Sequence, residues 1–143
     1  MAGYFETQRG VVQAWECDHM GHLNTTFYMQ KFSEAGAQLT ARIGLTRLYM
    51  DESGGGMAAL EHIIKYRREL RAGDVTLVES GMLEVGNKTI RFLHRLLNAT
   101  TLELAATMEG VACYFDRNTR KSEPLPDFMR AKSLALLVER KDD

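Results

Sequence analysis

Several things are scarce in this sequence, and each scarcity excludes a class of protein. Only 2 of the 143 residues are cysteine, Cys17 and Cys113. Two thiols so far apart build neither a disulfide scaffold nor a zinc site, so a reducing, cytoplasmic setting is the simplest expectation. Charge of one sign is not in excess, since 18 Lys and Arg stand against 19 Asp and Glu for a net charge of −1. A nucleic-acid-binding domain would be distinctly basic, so no nucleic-acid partner is expected. Charges break every apolar run before it nears the ~20 residues of a membrane helix, and no membrane partner is expected either. The opening MAGYFETQRG lacks the apolar stretch and small-residue cleavage site of a signal peptide. Proline is confined to Pro124 and Pro126, and no repeat or low-complexity segment appears. What is present is a 45% hydrophobic, 26% charged chain, too apolar to be disordered. Its length predicts one domain over residues 1–143, able to bury roughly 68–70% of its unfolded surface.

The spacing of apolar residues changes along the chain. Residues 10–17, GVVQAWEC, read as a short strand, and Asp18 to Asn24 as a loop. Residues 25–43 then read as a helix, because Tyr28, Phe32, Ala35, Gly36, Leu39 and Ile43 recur on one face. Asn24 suits the N-cap and Gly44 the C-terminal stop. Gly36 within that face costs about 1 kcal/mol relative to Ala, which suggests a close approach of the helix to its neighbour. Beyond Gly54-Gly55-Gly56 the pattern alternates instead. Strands are predicted over 58–70, 75–85, 90–96 and 102–115, with a turn at Ala72-Gly73-Asp74 and a hairpin at Val85-Gly86-Asn87-Lys88. Gly110 suggests a bulge or sharp curvature in the last of these, and Pro126-Asp127 starts a final helix to about Val138. Sequential strands pair antiparallel, so the expectation is an α+β fold: a curved antiparallel sheet, one long helix across it, and an additional C-terminal helix.

Chemistry concentrates in Asp18-His19-x-Gly21-His22-x-Asn24, between the first strand and the long helix. A helix N-terminus offers unpaired N–H groups and partial positive charge, suited to a developing oxyanion. A carboxylate beside it completes a minimal arrangement for attack on an activated carbonyl. The competing reading is that Asp18 and Asn24 only close the turn and cap the helix. Asp18, His19 and His22 lack an evident further ligand, so no metal is assigned. Cys17 alternates with Asp18 and is expected to face away from it.

The segment VVQAWECDHMGHLNTTFYMQKFSEAG resembles the signature of hotdog-fold acyl-CoA thioesterases of the 4-hydroxybenzoyl-CoA thioesterase type. The matching residues are Glu16, Asp18, Gly21, Leu23, Asn24, Tyr28 and Phe32, and Tyr66 to Asp74 matches a second element, Tyr-x-x-Pro-x-x-x-Gly-Asp. The resemblance covers about residues 8–117. Glu16 stands where relatives have Asp, Glu69 replaces the proline, and Ser33 lies where a helix Glu is common. The resemblance implies a hotdog fold and hydrolysis of an acyl-CoA, with CoA arriving as part of the substrate and no separate cofactor. It implies Asp18 as nucleophile or general base, the backbone N–H near Thr25 as oxyanion donor, and His22 adjusting hydrogen bonds beside the carbonyl. Gly21, Asn24, Glu61 and His62 are implied at the substrate, the last two through a partner subunit. Arg67 and Arg68, with Lys65 and Arg71, could meet CoA phosphates or form a solvated strand face. A hotdog enoyl-CoA hydratase or dehydratase and a non-catalytic acyl-CoA-binding module stay open as alternatives. Met20 and Met29 are the methionines expected near substrate; Tyr28 is expected in the core or an interface. An open sheet edge is an association hazard, which together with the resemblance favours a homodimer or homotetramer.

Overall fold

The computed structural model describes residues 3–143. The apolar stripe read from 25–43 becomes the buried face of α1 (Thr25–Arg42), with Phe32, Ala35, Leu39 and Ile43 fully enclosed. Asn24 caps it by accepting from the Thr26 N–H at 3.0 Å, and Gly44 follows it at φ +100°. Against α1 lies an antiparallel sheet built from β1 (Phe5–Val11), β2 (Gly55–Tyr66), β3 (Val75–Val85), β4 (Thr89–Asn98) and β5 (Leu104–Asp116). Their order across the sheet is β1-β3-β4-β5-β2, and a short β6 (Lys121–Ser122) pairs with β5. Each of the four main ladders carries a register shift. Such bulges bend the strands that hold them, and here they curve the sheet around the helix. The fold is therefore the expected α+β one, with α3 (Asp127–Leu134) as the additional C-terminal helix.

Several boundaries differ from the sequence reading. The first strand covers 5–11 rather than 10–17. Within it Thr7 is the one buried residue, so no apolar alternation announces it, and its ladder to β3 holds it instead. Residues 14–16 form a 3₁₀ turn because Gln13 and Glu16 cap each other: the Gln13 N–H donates to the Glu16 carboxylate at 2.7 Å. A second helix, α2 (Arg47–Ser53), was not foreseen; none of its residues is buried, and Thr46 caps it by accepting from the Tyr49 N–H at 3.1 Å. Strand β2 ends at Tyr66, not 70. The N–H groups of Arg67 and Arg68 both turn onto the Ala105 carbonyl, at 2.8 and 3.0 Å, which lifts the chain off the ladder. Leu102 sits at φ +64° in a turn rather than in β5. Helix α3 stops at Leu134 because the chain beyond it pairs with β3. Met82 N–H donates to the Leu136 carbonyl at 2.9 Å, and Val138 N–H to the Met82 carbonyl at 2.8 Å.

That C-terminal segment also explains why β4 is buried on both faces. Arg95, on the face away from α1, pairs with Glu79 and donates to the Lys141 and Asp143 carbonyls at 2.8 and 3.0 Å. Gly110 is likewise reassigned. It pairs in register with His62 and Phe92, and the neighbouring bulge belongs to β2 between Ala59 and Glu61. Its lack of a side chain serves Phe92, whose Cζ would lie 2.3 Å from a Cβ at position 110. Gly110→Ala should therefore destabilise the fold by about 1–3 kcal/mol through overpacking. Urea unfolding checks this, and adding Phe92→Leu should recover part of the loss.

Candidate active site

The loop before α1 is closed by its own backbone. Cys17 and Leu23 form a bridge, Asp18 N–H donates to the His22 carbonyl at 2.9 Å, and Gly21 turns the chain at φ +80°. Asp18 contributes one oxygen to this closure, its Oδ1 accepting from the Met20 N–H at 2.9 Å and the His22 N–H at 3.4 Å. At the helix start the Asn24 side chain and carbonyl take the N–H groups of Thr26 and Phe27. The Thr25 N–H has no protein acceptor among the described residues, as the first turn of a helix allows. Asn24 and Gly21 thus shape the loop and the helix end. They do not line the cleft beside them.

That cleft has a volume of about 440 Å³. It brings Asp18, His22 and Thr25 from the loop and helix together with Tyr66, Arg67, Arg68 and Glu69 from the end of β2. The two segments are joined by the Leu23 N–H, which donates to the Leu70 carbonyl at 2.7 Å. The residue that departs from the family pattern, Glu69, has a partner here: its Oε2 lies 3.6 Å from His22 Nε2. Arg68 is drawn to Glu103 at 3.4 Å, whereas Arg67 makes no ion pair among the described residues. Lys65 and Arg71 do not line the cleft. Tyr28 forms its buried wall, donating to the Arg68 carbonyl at 3.3 Å and meeting Tyr66 edge to face with centroids 5.1 Å apart. Burial, reinforced by Tyr66, pushes the Tyr28 phenol up to about 12, so it stays protonated. Cys17 packs against the core and does not line the cleft. Sequence reasoning missed Tyr66 and Glu69 as wall residues, although both stand in the second matching element.

Residues 12–133 match the family model of the thioesterase-like superfamily. The chain belongs to that superfamily. It is 29% identical, over 83% of its own length, to an L-carnitine dehydrogenase/betainyl-CoA thioesterase of Rhizobium meliloti, and spans only 24% of that protein. In fold it is similar to a Staphylococcus aureus protein solved in complex with CoA, at a TM-score of 0.87, 19% identity and coverage of 99% of this chain and 91% of the other. It is also similar to a 1,4-dihydroxy-2-naphthoyl-CoA thioesterase from Synechocystis, at a TM-score of 0.80, 17% identity and coverage of 94% and 98%. Among the described residues of this thioesterase-like chain, no helix is long and apolar enough to cross a membrane. None of its described His, Cys, Asp and Glu residues gather in threes around a metal position.

The remaining expected residues lie further along the sheet. Glu61 and His62 are exposed on β2, outside the cleft, and Met20 is exposed on the loop. His62 and Met29 instead line a second, apolar cavity of about 350 Å³ between α1 and the sheet. In its wall is His94, completely buried, with Nδ1 2.6 Å from Ser80 Oγ. Burial first, and nearby His62 second, push the His94 ring down to about 3. The unfolded chain, with His near 6.5, therefore binds one more proton than the folded chain across the interval between those values. Stability must fall as pH drops through that interval. Lowering the pH from about 7.5 to 5.5 should remove ~1 kcal/mol through this one group. Urea unfolding at both values should show that loss in the wild type and a smaller one in His94→Phe.

Proposed function

We propose that this protein hydrolyses acyl-CoA thioesters to a free acid and CoA. The observation that carries the reading is the meeting, in one cleft, of the Asp18 carboxylate and a helix N-terminus whose first N–H is free. The thioester carbonyl oxygen would point at the Thr25 N–H, where the dipole of α1 favours negative charge. Asp18 Oδ1 is anchored by the loop, which leaves its other oxygen for the reaction. That oxygen either attacks the carbonyl carbon or takes a proton from the water that does. The carbon–sulfur bond then breaks, the CoA thiolate leaves and is protonated, and water supplies the acid's second oxygen. His22, steadied by Glu69, adjusts the hydrogen bonding beside the carbonyl. Arg67 and Arg68 stand where CoA phosphates would approach the cleft, Arg67 being the better placed because Glu103 competes for Arg68. The names of the relatives support a CoA-linked substrate, and nothing in the proposed hydrolysis calls for another cofactor.

The functional unit we propose is a homodimer joined through β2. Both sheet edges expose charges, Glu6 and Arg9 on β1 and Glu61 and Lys65 on β2. Edge strand β1 adds one exposed large hydrophobic residue, Val11 at 46%, whereas β2 adds Leu60, Ile63 and Tyr66 at 61%, 43% and 49%. Joining two β2 strands would bring these apolar side chains of the two copies together, with Glu61 and His62 of one copy drawn toward the other. Sedimentation velocity should show a dimer, or a tetramer containing it, and Ile63→Lys should shift it toward monomer.

Thiol release from a panel of acyl-CoAs tests the chemistry. Asp18→Asn, matched for folding by circular dichroism, should fall at least ~100-fold, the usual contribution of a positioned acid–base group. Thr25→Pro is the sharper probe. Proline is well tolerated at the first helical position, and the extended φ −70°, ψ 146° of Asn24 suits a following proline. The helix should persist while thiol release drops roughly 10²–10³-fold, as for a lost oxyanion donor; Thr25→Ala, which keeps the N–H, should stay near wild type. Saturable binding of acyl-CoAs without thiol release, or hydration of an enoyl-CoA without it, would overturn the reading.

A further inference from the structure

The apolar cavity between α1 and the sheet has in its wall one fully buried polar side-chain atom with no partner among the described residues, His94 Nε2. The imidazole lies stacked on Phe32, with centroids 6.1 Å apart, and tilted against Phe92 at 4.9 Å. Above Nε2 sits Gly36 of α1. A Cβ there would lie 3.8 Å from Nε2, so the glycine keeps the space over the nitrogen open. The close approach expected from Gly36 in the sequence is not found, since a Cβ at that position would make only an ordinary contact.

Counting protons along the His94 hydrogen-bond chain decides what Nε2 offers. Nδ1 is 2.6 Å from Ser80 Oγ, Ser80 Oγ is 2.7 Å from Thr7 Oγ1, and Thr7 donates to the Val78 carbonyl at 3.3 Å. A carbonyl can only accept, and each hydroxyl carries a single proton. With the Thr7 proton on Val78, the Ser80 proton goes to Thr7 and Nδ1 carries the proton donated to Ser80. A neutral ring protonated at Nδ1 leaves Nε2 as a bare lone pair. Its burial keeps the ring in that neutral form. At this point the cavity presents an acceptor, among Phe32, Phe92 and Met108, while Ser33, Thr40 and His62 are the other polar side chains of its lining.

A buried acceptor without a partner is costly, and a ligand group that satisfies it gains what was lost. The cavity, at about 350 Å³, has more than twice the ~150 Å³ that holds a benzene ring. It lies along the same helix that borders the cleft, since Thr25 and Tyr28 face the cleft and Met29, Phe32 and Gly36 face the cavity. From Thr25 to Gly36 the helix advances roughly 16 Å. We infer that this cavity receives the acyl tail and that His94 Nε2 accepts a hydrogen bond from a hydroxyl borne on that tail, remote from the thioester. His94 is then a specificity-determining residue, favouring hydroxylated acyl groups over plain alkyl ones. An ammonium would also donate, but stripping its water in a chamber of Met and Phe is far more costly than desolvating a neutral hydroxyl. The inference rests on the acyl-CoA reading of the cleft.

Two measurements test it. In histidine-¹⁵N-labelled protein at neutral pH, long-range ¹H–¹⁵N spectra should show His94 protonated at Nδ1 and bare at Nε2. Titration with ω-hydroxy fatty acids should move the Nε2 resonance at one chain length, while the matching unsubstituted acids leave it in place. In parallel, kcat/KM is compared for ω-hydroxyacyl-CoAs and their methyl-ended counterparts from short to long chains. At the fitting length the hydroxylated member should be preferred about tenfold, the worth of one hydrogen bond of ~1.4 kcal/mol. His94→Phe should abolish or reverse the preference, and Ser80→Ala, which frees Nδ1 and with it the tautomer, should weaken it several-fold. A proton on Nε2, or equal turnover of both series at every length by an active enzyme, would overturn the inference and leave the thioesterase reading standing. A shifted Nε2 with no thiol released from any substrate would do the reverse.

Discussion

Phe32, Leu39 and Ile43 are wholly withdrawn from water, each stabilising the fold by roughly 1.5–3 kcal/mol, because the sheet bends around α1. Nearly everything else depends on this seating. It sets the direction of the helix axis, and so the place where unpaired N–H groups emerge beside the Asp18 loop. The same seating leaves a gap at Gly36, where two large side chains could not have met. The bulges matter for the same reason, since a flat sheet would cover only part of the helix.

Polar groups near the helix serve structure and, in the proposed hydrolysis, chemistry at once. Asp18 closes its loop with one oxygen, which restricts the carboxylate to one orientation and leaves the second oxygen at the cleft. Asn24 satisfies two helix N–H groups, so that the remaining Thr25 N–H is presented in a fixed position. A site organised by its own hydrogen bonds needs little rearrangement when charge develops, which is where such donors are most effective. The Thr7–Ser80–His94 chain works on the same principle deeper in the molecule. There a run of hydroxyl groups, ended by a carbonyl, holds the orientation of a ring that has no charged partner.

The C-terminal segment and the β2 edge show two opposite treatments of sheet surface. Beyond α3 the chain pairs with β3 past the end of β1 and covers Arg95, so this side of the sheet is closed within one copy. Strand β2 has no covering segment among the described residues and leaves Leu60 and Ile63 exposed beside Glu61 and Lys65. The asymmetry is what a protein that associates through one edge would need.

The sequence by itself determined the long helix to within a residue, because a stripe at 3.6-residue spacing with Asn24 before it and Gly44 after it has one reading. It also determined strand 75–85 and the 90–96 core of the strand that follows, whose alternation is joined by a tight hairpin, and it placed Asp18, His22 and Thr25 at one helix end by adjacency alone. Tertiary structure decided the rest. Strand β1 buries only Thr7 and exists through its ladder to β3, which no local pattern records. The burial of Arg95 depends on a tail 46 to 48 residues away. Tyr66 and Glu69 reach the cleft only because the chain leaves β2 at Arg67 and Leu70 ties it to Leu23. His94 read as one more inward residue of an alternating strand; its tautomer and open Nε2 depend on Thr7 and Ser80 from two other strands and on Gly36 from the helix. Spacing along a chain reports which face a side chain occupies, whereas hydrogen-bond partners and cavities are properties of several segments meeting, and those meetings are set by packing.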